Sequence, residues 1–342
     1  MYRLDINGPE IDQINEVIRE VRKEFDSVED PALQRRAVEY AQEFPRSVRA
    51  SLNTFRLSEP HSVCVVAGYP LDDRELGSTP AHWKDRDESR TVGFDVYFYL
   101  LGCLLGEPIA WATQQDGRIM HDVLPIKDHE YEQIGSGSKE LVTWHTEDAF
   151  HPLRSDYVGL MCLRNPDGVE TTYASTHDLD LHDPALALLW EKRFPIRPDH
   201  SHTPGFQGAQ IRRTPEEEEL LRRSYEAISK LSEDPEPLAV LFGDPNAPYL
   251  RLDPFFMEKV RDDAEAQRAL DVLAGQIDRT ITGYALRPGE ALFLDNYTAV
   301  HGRKPFSARF DGTDRWLKRL CVARDLRASR AQRTTPDSRV IF

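Results

Sequence analysis

The sequence predicts a mainly β fold with flanking helices, and three observations predict it. Short apolar or alternating runs bounded by Pro, Gly and Asp recur through the middle of the chain. Two helical patterns precede these runs and two more interrupt them. No fixed-period repeat, low-complexity tract or Pro/Gly/Ser linker divides the 342 residues, a length that suits one large domain or two ordinary ones. One decorated β-rich domain is therefore preferred.

Taken in order, "NGPEIDQINEVIREVRKEF" sets Ile11, Ile14, Ile18, Val21 and Phe25 at helical spacing, and "DPALQRRAVEYAQEF" opens on Asp30 as a cap with Pro31 in the first turn. Two helices are expected there, within an N-terminal helical part of residues 1–55. Strands are expected at "HSVCVVAG", "EPIAWATQQ", "LVTWHTE", "DYVGLMCLRN", "EALFLDNY" and "RWLKRLCVAR". "VGFDVYFYLLGCLLG" is too short to span a bilayer and carries an aspartate, so it reads as a buried helix. "TPEEEELLRRSYEAISKL" starts with a Thr214 to Glu217 capping box, and "MEKVRDDAEAQRALDVLAGQID" is a second helix inserted into the β part. The insert runs from about 175 to 280, the core from 56 to 325, and residues 326–342 form a tail expected to be partly mobile.

Composition narrows the function. With 43 basic and 58 acidic residues the net charge is −15, which argues against nucleic acid and anionic lipid and favours a small-molecule ligand. The four cysteines stand far apart inside apolar runs and read as reduced core residues. "MYRLDINGPE" lacks the basic start and apolar stretch of a secretory signal, so the expected location is the cytoplasm. No Gly-rich phosphate loop, GxSxG or Cys/His nucleophile pattern is present.

Three segments carry chemistry. In "LVTWHTEDAFHP", His145 and Glu147 share a strand face with Cα atoms roughly 7 Å apart, close enough to reach one ion. Chance alone supplies about one His-x-Glu in such a chain, so the pair equally fits a solvated strand. "LFLDNYTAVHGRKPF" then delivers His301 at the end of an apolar strand. Two histidines and one carboxylate are the ligand set of non-haem Fe(II) oxygenases, and zinc hydrolases also use it, although the HExxH helix of that class is missing. In "TDRWLKRLCVAR", Arg315 and Arg319 share a face about 13 Å apart among apolar residues. Unpaired guanidinium groups are costly there, so two anionic partners are expected, such as the carboxylates of a small dicarboxylate or an amino acid.

The combination of WHTEDAFHP, HGR and an arginine 14 residues beyond His301 resembles the Fe(II)/2-oxoglutarate oxygenases of the clavaminate-synthase-like group. Within that group it is most similar to the free amino acid β-hydroxylases acting on arginine, enduracididine or asparagine, over roughly residues 55–325. His-x-Glu in place of His-x-Asp marks this subgroup. The resemblance implies a double-stranded β-helix, a cupin-like jelly-roll, with Fe(II) at its mouth. It implies His145, Glu147 and His301 as iron ligands, Arg315 assisted by Thr172 for the distal carboxylate of 2-oxoglutarate, and O₂ as co-substrate. Arg319 would take the substrate α-carboxylate, with Gln114 and Glu147 near its amino group. Arginine hydroxylases hold the guanidinium with two acids two residues apart, whereas "PYLRLDPFFM" offers Asp253 and then Phe255. The implied substrate is thus arginine held by fewer contacts, or a cyclic guanidino relative such as enduracididine stacking on Phe255 or Phe256.

The implied activity is hydroxylation of a free L-amino acid at the β-carbon in specialised metabolite biosynthesis. "HDVLPIKDHEYEQIGSGSKEL" fits a Gly/Ser-rich lid or a plain surface loop. "HSH" at 200–202 reads as a loop, and the acidic run at 216–219 as a helix first turn. Glu147 occupies the position that halide would need, which disfavours halogenation. Three alternatives stay open: asparagine as substrate, an amino acid tethered to a carrier protein, and a metal-binding β barrel without catalysis.

Overall fold

A computed structural model describes residues 1–203, 213–257 and 263–342. The chain starts with strand β1 (Tyr2–Asp5) and helices α1 (Gly8–Glu24), α2 (Pro31–Ala41) and α3 (Arg46–Ser58). Asn7 accepts from the Glu10 N–H while the Glu10 carboxylate accepts from the Asn7 N–H, and this reciprocal cap starts α1. α3 has no side-chain cap, which is why the sequence signals point to two helices instead of three. β1 also escapes prediction, because four residues of mostly polar character carry little periodicity.

Two sheets follow. The larger is ordered β1, β2 (Val63–Ala67), β13 (Ala291–Asp295), β6 (Tyr157–Arg164), β15 (Trp316–Ala323), β3 (Glu107–Trp111) and β16 (Val340–Ile341), with β4 (His121–Val123) also paired to β15. The smaller is ordered β12 (Thr282–Tyr284), β7 (Thr171–Ser175), β14 (Ala299–Arg303) and β5 (Val142–His145). Apart from β1 with β2 and β16 with β3, every pairing is antiparallel. The architecture is therefore mixed helix and sheet, with more helix than a mainly β reading allows.

Alternation along each strand sorts the chain into layers. Trp316, Leu320 and Val322 of β15 pack with α1, α2, α3 and the buried helix α5 (Glu88–Cys103). The opposite face of β15 sends Leu317 towards the smaller sheet, where it joins Val63, Val65, Val158, Leu160, Leu292, Leu294 and Ala299 in an inter-sheet core. The outer face of the smaller sheet, through Trp144, Ala174 and Val300, packs on residues 184–190 and a C-terminal helix of the insert.

That insert follows β7. It holds the short pairs β8 (Phe194–Pro195) with β9 (Pro237–Leu238) and β10 (Leu241–Asp244) with β11 (Ala247–Leu250). Its helices follow the four-residue helix α4 (Asp73–Leu76) and α5 in chain order as α6 (Pro215–Glu233) and α7 (Ala264–Thr280). The Thr214/Glu217 capping box forms in both directions. Of the helix expected over 257–278, residues 258–262 lie outside the described residues, and α7 begins at Ala264.

The tail is laced in rather than loose. β16 runs beside β3, and buried Arg333 donates to the backbone carbonyls of Leu326, Thr335, Pro336 and Ser338. All four cysteines are unpaired thiols. Among the described residues no helix is long and apolar enough to cross a membrane.

Candidate active site

Cross-strand pairing sets the histidines. His145 ends β5 directly opposite His301 in β14, with ring centroids 4.6 Å apart. The Nδ1–H of His145 donates to the Thr143 carbonyl at 2.8 Å, which leaves Nε2 facing inward. Glu147 lies just beyond the strand. Asn296 fixes it by accepting the Glu147 N–H at 2.7 Å and donating to the Glu147 and Ser155 carbonyls.

Glu147 Oε2 lies 3.2 Å from His301 Nε2 and 3.9 Å from His145 Nε2. The three ligand atoms all lie within 4.8 Å of one another. Metal bonds of about 2.1 Å at right angles separate neighbouring donors by about 3 Å, so the triad fits one face of an octahedral ion. Burial raises the Glu147 carboxyl, but Arg319 and the two imidazoles outweigh it and hold the group well below the usual range. It is thus a ready anionic ligand.

Arg315 and Arg319, at either end of one strand face, differ sharply. Arg319 donates to Glu147 Oε1 at 2.5 Å, to Gln114 Oε1 at 2.7 Å and contacts His121 Nδ1 at 2.7 Å. Three of its five N–H groups are committed. Arg315 is buried with an unpartnered Nε–H, and burial pushes its guanidinium down to about 10. Among the described residues no carboxylate pairs with it. An unpaired buried cation lining a cavity is an anion site awaiting its anion.

These groups line one cavity of about 200 Å³ at the polar end of the inter-sheet space, floored by Leu160 and Leu317 and walled by Ile126, His129, Gln133 and Ile134 of the Gly/Ser-rich stretch. Gln114, Asp253 and Phe255 line it too, Phe255 at the rim with half its surface exposed. Burial raises the Asp253 carboxyl to about 6.

Thr172 does not line it. Alternation along β7 turns Thr172 to the outer side with Ala174, and Thr171 faces the cavity instead. Asp199, His121 and Arg303 also line the cavity, and sequence reasoning missed all three. Asp199 sits in the "DHSH" turn of the insert, which has no strand or helix period to announce it; His121 and Arg303 lie inside apolar or loop stretches without a partner in sequence.

Residues 61–321 match the family described as taurine catabolism dioxygenase TauD, TfdA family. The chain belongs to the TauD/TfdA family. Among TauD/TfdA relatives, the enduracididine beta-hydroxylase of Streptomyces hygroscopicus is 48% identical over 100% of both chains. The L-ornithine/L-arginine 3-hydroxylase of Catenulispora acidiphila is 43% identical, again over 100% of both. The crystal structure of the non-heme iron oxygenase OrfP in complex with Fe, succinate and (3S)-hydroxy-L-Arg superposes with a TM-score of 0.91 at 39% identity, covering 100% of both chains. The expected kinship with Fe(II)/2-oxoglutarate oxygenases is thereby confirmed.

Proposed function

We propose that this protein is an Fe(II)/2-oxoglutarate-dependent oxygenase that hydroxylates a free L-amino acid with a guanidino side chain, arginine or enduracididine, at its β-carbon. One observation carries the reading. A preformed two-histidine, one-carboxylate triad stands in a cavity with an unpaired buried cation, Arg315, and a further pair of carboxylates, Asp253 and Asp199. An anion subsite and a cation subsite thus flank one metal site.

His145, Glu147 and His301 would hold Fe(II), and Arg315 beside Thr171 would take the distal carboxylate of 2-oxoglutarate. When bound, these groups consume O₂: 2-oxoglutarate loses CO₂ to become succinate with one oxygen atom, and the other enters a substrate C–H bond as hydroxyl. The chain itself positions and encloses. Arg319, steadied by Gln114 and His121, meets the α-carboxylate. Asp199 supplies the second charge that the sequence motif lacked at Phe255, and with Asp253 it suits a planar cation that donates in a fork. Phe255 and Phe256 cover the rim. Holding one C–H against the metal is the whole of the protein's selectivity in such chemistry.

The two facing antiparallel sheets support reading the core as a double-stranded β-helix, with residues 1–342 working as one oxygenase domain. A free amino acid fits a small enclosed cavity in an acidic chain better than nucleic acid or a lipid surface does, and cytoplasmic work in specialised metabolite biosynthesis suits that substrate. The test is succinate release with product mass across arginine, enduracididine, ornithine, homoarginine and asparagine. A β-hydroxylated guanidino product is expected; turnover of asparagine with arginine ignored would overturn the reading of Asp253.

A further inference from the structure

The short turn His200–His202 carries a side chain that the chemistry above leaves unused. His202 is 1% exposed, with Nδ1 2.7 Å from Thr113 Oγ1 and Nε2 2.9 Å from Asp148 Oδ1. The second oxygen of Asp148 accepts the Trp111 indole N–H at 2.6 Å. Asp148 directly follows the metal-triad residue Glu147 and has φ of +48°, in the left-handed backbone region that few residues other than glycine, asparagine and aspartate adopt. Its carboxylate is held there by two donors, one from β3 and one from the insert. Burial works against charge on His202, yet Asp148 and Asp199 prevail and raise its pKa.

The same turn delivers two more groups to the cavity. The Asp199 carboxylate caps the turn by accepting the Ser201 N–H at 2.7 Å, and it lines the cavity. Ser201 Oγ accepts from Gln114 Nε2 at 2.7 Å. Because Arg319 can only donate, the Gln114 oxygen must face it, and the amide nitrogen is left to Ser201 and to packing on the His202 ring, 3.0 Å away. Both ends of the amino-acid subsite therefore refer to one fastening point.

We infer that His202 is a positioning residue for the amino-acid substrate: by fastening the 199–202 turn to Asp148 it sets Asp199 at the side-chain end and the Gln114–Arg319 pair at the carboxylate end. This rests on the functional reading above. A buried histidine that merely completes a polar network would, when removed, affect both co-substrates alike or only stability. A positioning residue affects one. The 2-oxoglutarate subsite around Arg315 contains none of these groups, so it should be spared.

The test compares wild type with His202→Phe, His202→Gln and Thr113→Val, using L-arginine and L-enduracididine. In folded His202→Phe the amino-acid KM should rise about tenfold or more and the ratio of hydroxylated product to succinate should fall, while the 2-oxoglutarate KM stays within about twofold, since small misplacements of a bound C–H cost more than its binding. His202→Gln, which keeps a donor towards Asp148, should recover most of the loss. An unchanged amino-acid KM and product ratio, or a parallel rise in both KM values, overturns the inference. If His202→Phe fails to fold, Thr113→Val decides: a rise of about threefold in the amino-acid KM alone supports it, and no rise overturns it. If the wild type hydroxylates no guanidino amino acid, the functional reading has failed. Hydrogen exchange of residues 197–203 still judges the anchor then, with lost protection in the variants expected and unchanged protection fatal.

Discussion

At the scale of single residues, the site is defined by which charges are answered inside the protein. Arg319 is answered by Glu147, whereas Arg315 is not answered at all among the described residues. Arg315→Met should therefore leave the Tm without ligand equal to or above that of wild type, because a desolvated lone cation is removed. It should also abolish the rise in Tm that 2-oxoglutarate gives the wild type with metal present, since that rise measures binding to the folded state. Thermal unfolding with and without 2-oxoglutarate reads both. At the opposite end, Asp253→Asn removes one charge facing the guanidinium and should raise the arginine KM by about 10- to 100-fold, the worth of a charged hydrogen bond. Slow 2-oxoglutarate decay without substrate should persist; equal loss of both activities would mean that Asp253 has a structural task. His145, Glu147 and His301 were legible in sequence because each stands in or just past an apolar strand-like run. Asp199 was not, because a capped turn leaves no period, and that Thr171 rather than Thr172 faces the cavity was not either, because a strand's phase is invisible until its partner is known.

At the scale of elements, β14 and β5 matter most, since their register alone sets His145 opposite His301. That register shifts by a bulge between His301 and Arg303, and Gly302 is what permits it: a Cβ there would stand 2.4 Å from the Val142 carbonyl oxygen and 3.1 Å from Thr172 Oγ1. Gly302→Ala should push the strands apart and weaken metal binding by about tenfold or more, by analogy with losses when the support of metal ligands is disturbed. Titration with Fe(II) under anaerobic conditions measures it, and unchanged affinity would show that the strands absorb a methyl group. Strands such as β6, β13 and β15 were legible as apolar runs, and α1, α2 and α6 as capped periodic helices. β1, α3 and β16 were not, because short or uncapped segments draw their stability from neighbours rather than from their own sequence.

At the scale of the whole molecule, an acid-rich chain has buried several of its carboxylates, and that choice makes stability depend on pH. Asp295, at the end of β13 beside the Asn296 that fixes Glu147, is 6% exposed, and burial raises its carboxyl to about 7 against an ordinary 3.8. Between about pH 4 and pH 7 the unfolded chain has released this proton while the folded chain retains it, so the folded state binds more protons and stability falls as pH rises. Above about 7 both states are ionised and the loss is constant. Asp295→Asn keeps an oxygen for the Tyr297 N–H, which Asp295 Oδ1 accepts at 2.9 Å, and removes the titration. The variant should match wild type near pH 4 and gain steadily up to about pH 7, at about 1.4 kcal/mol for each tenfold fall in proton concentration, to a plateau of a few kcal/mol. Urea unfolding at pH 5, 6, 7 and 8 gives the difference directly. A constant offset at all four values would show that Asp295 is ionised in the fold throughout, and that the acidic end of β13 is solvated more deeply than its burial implies.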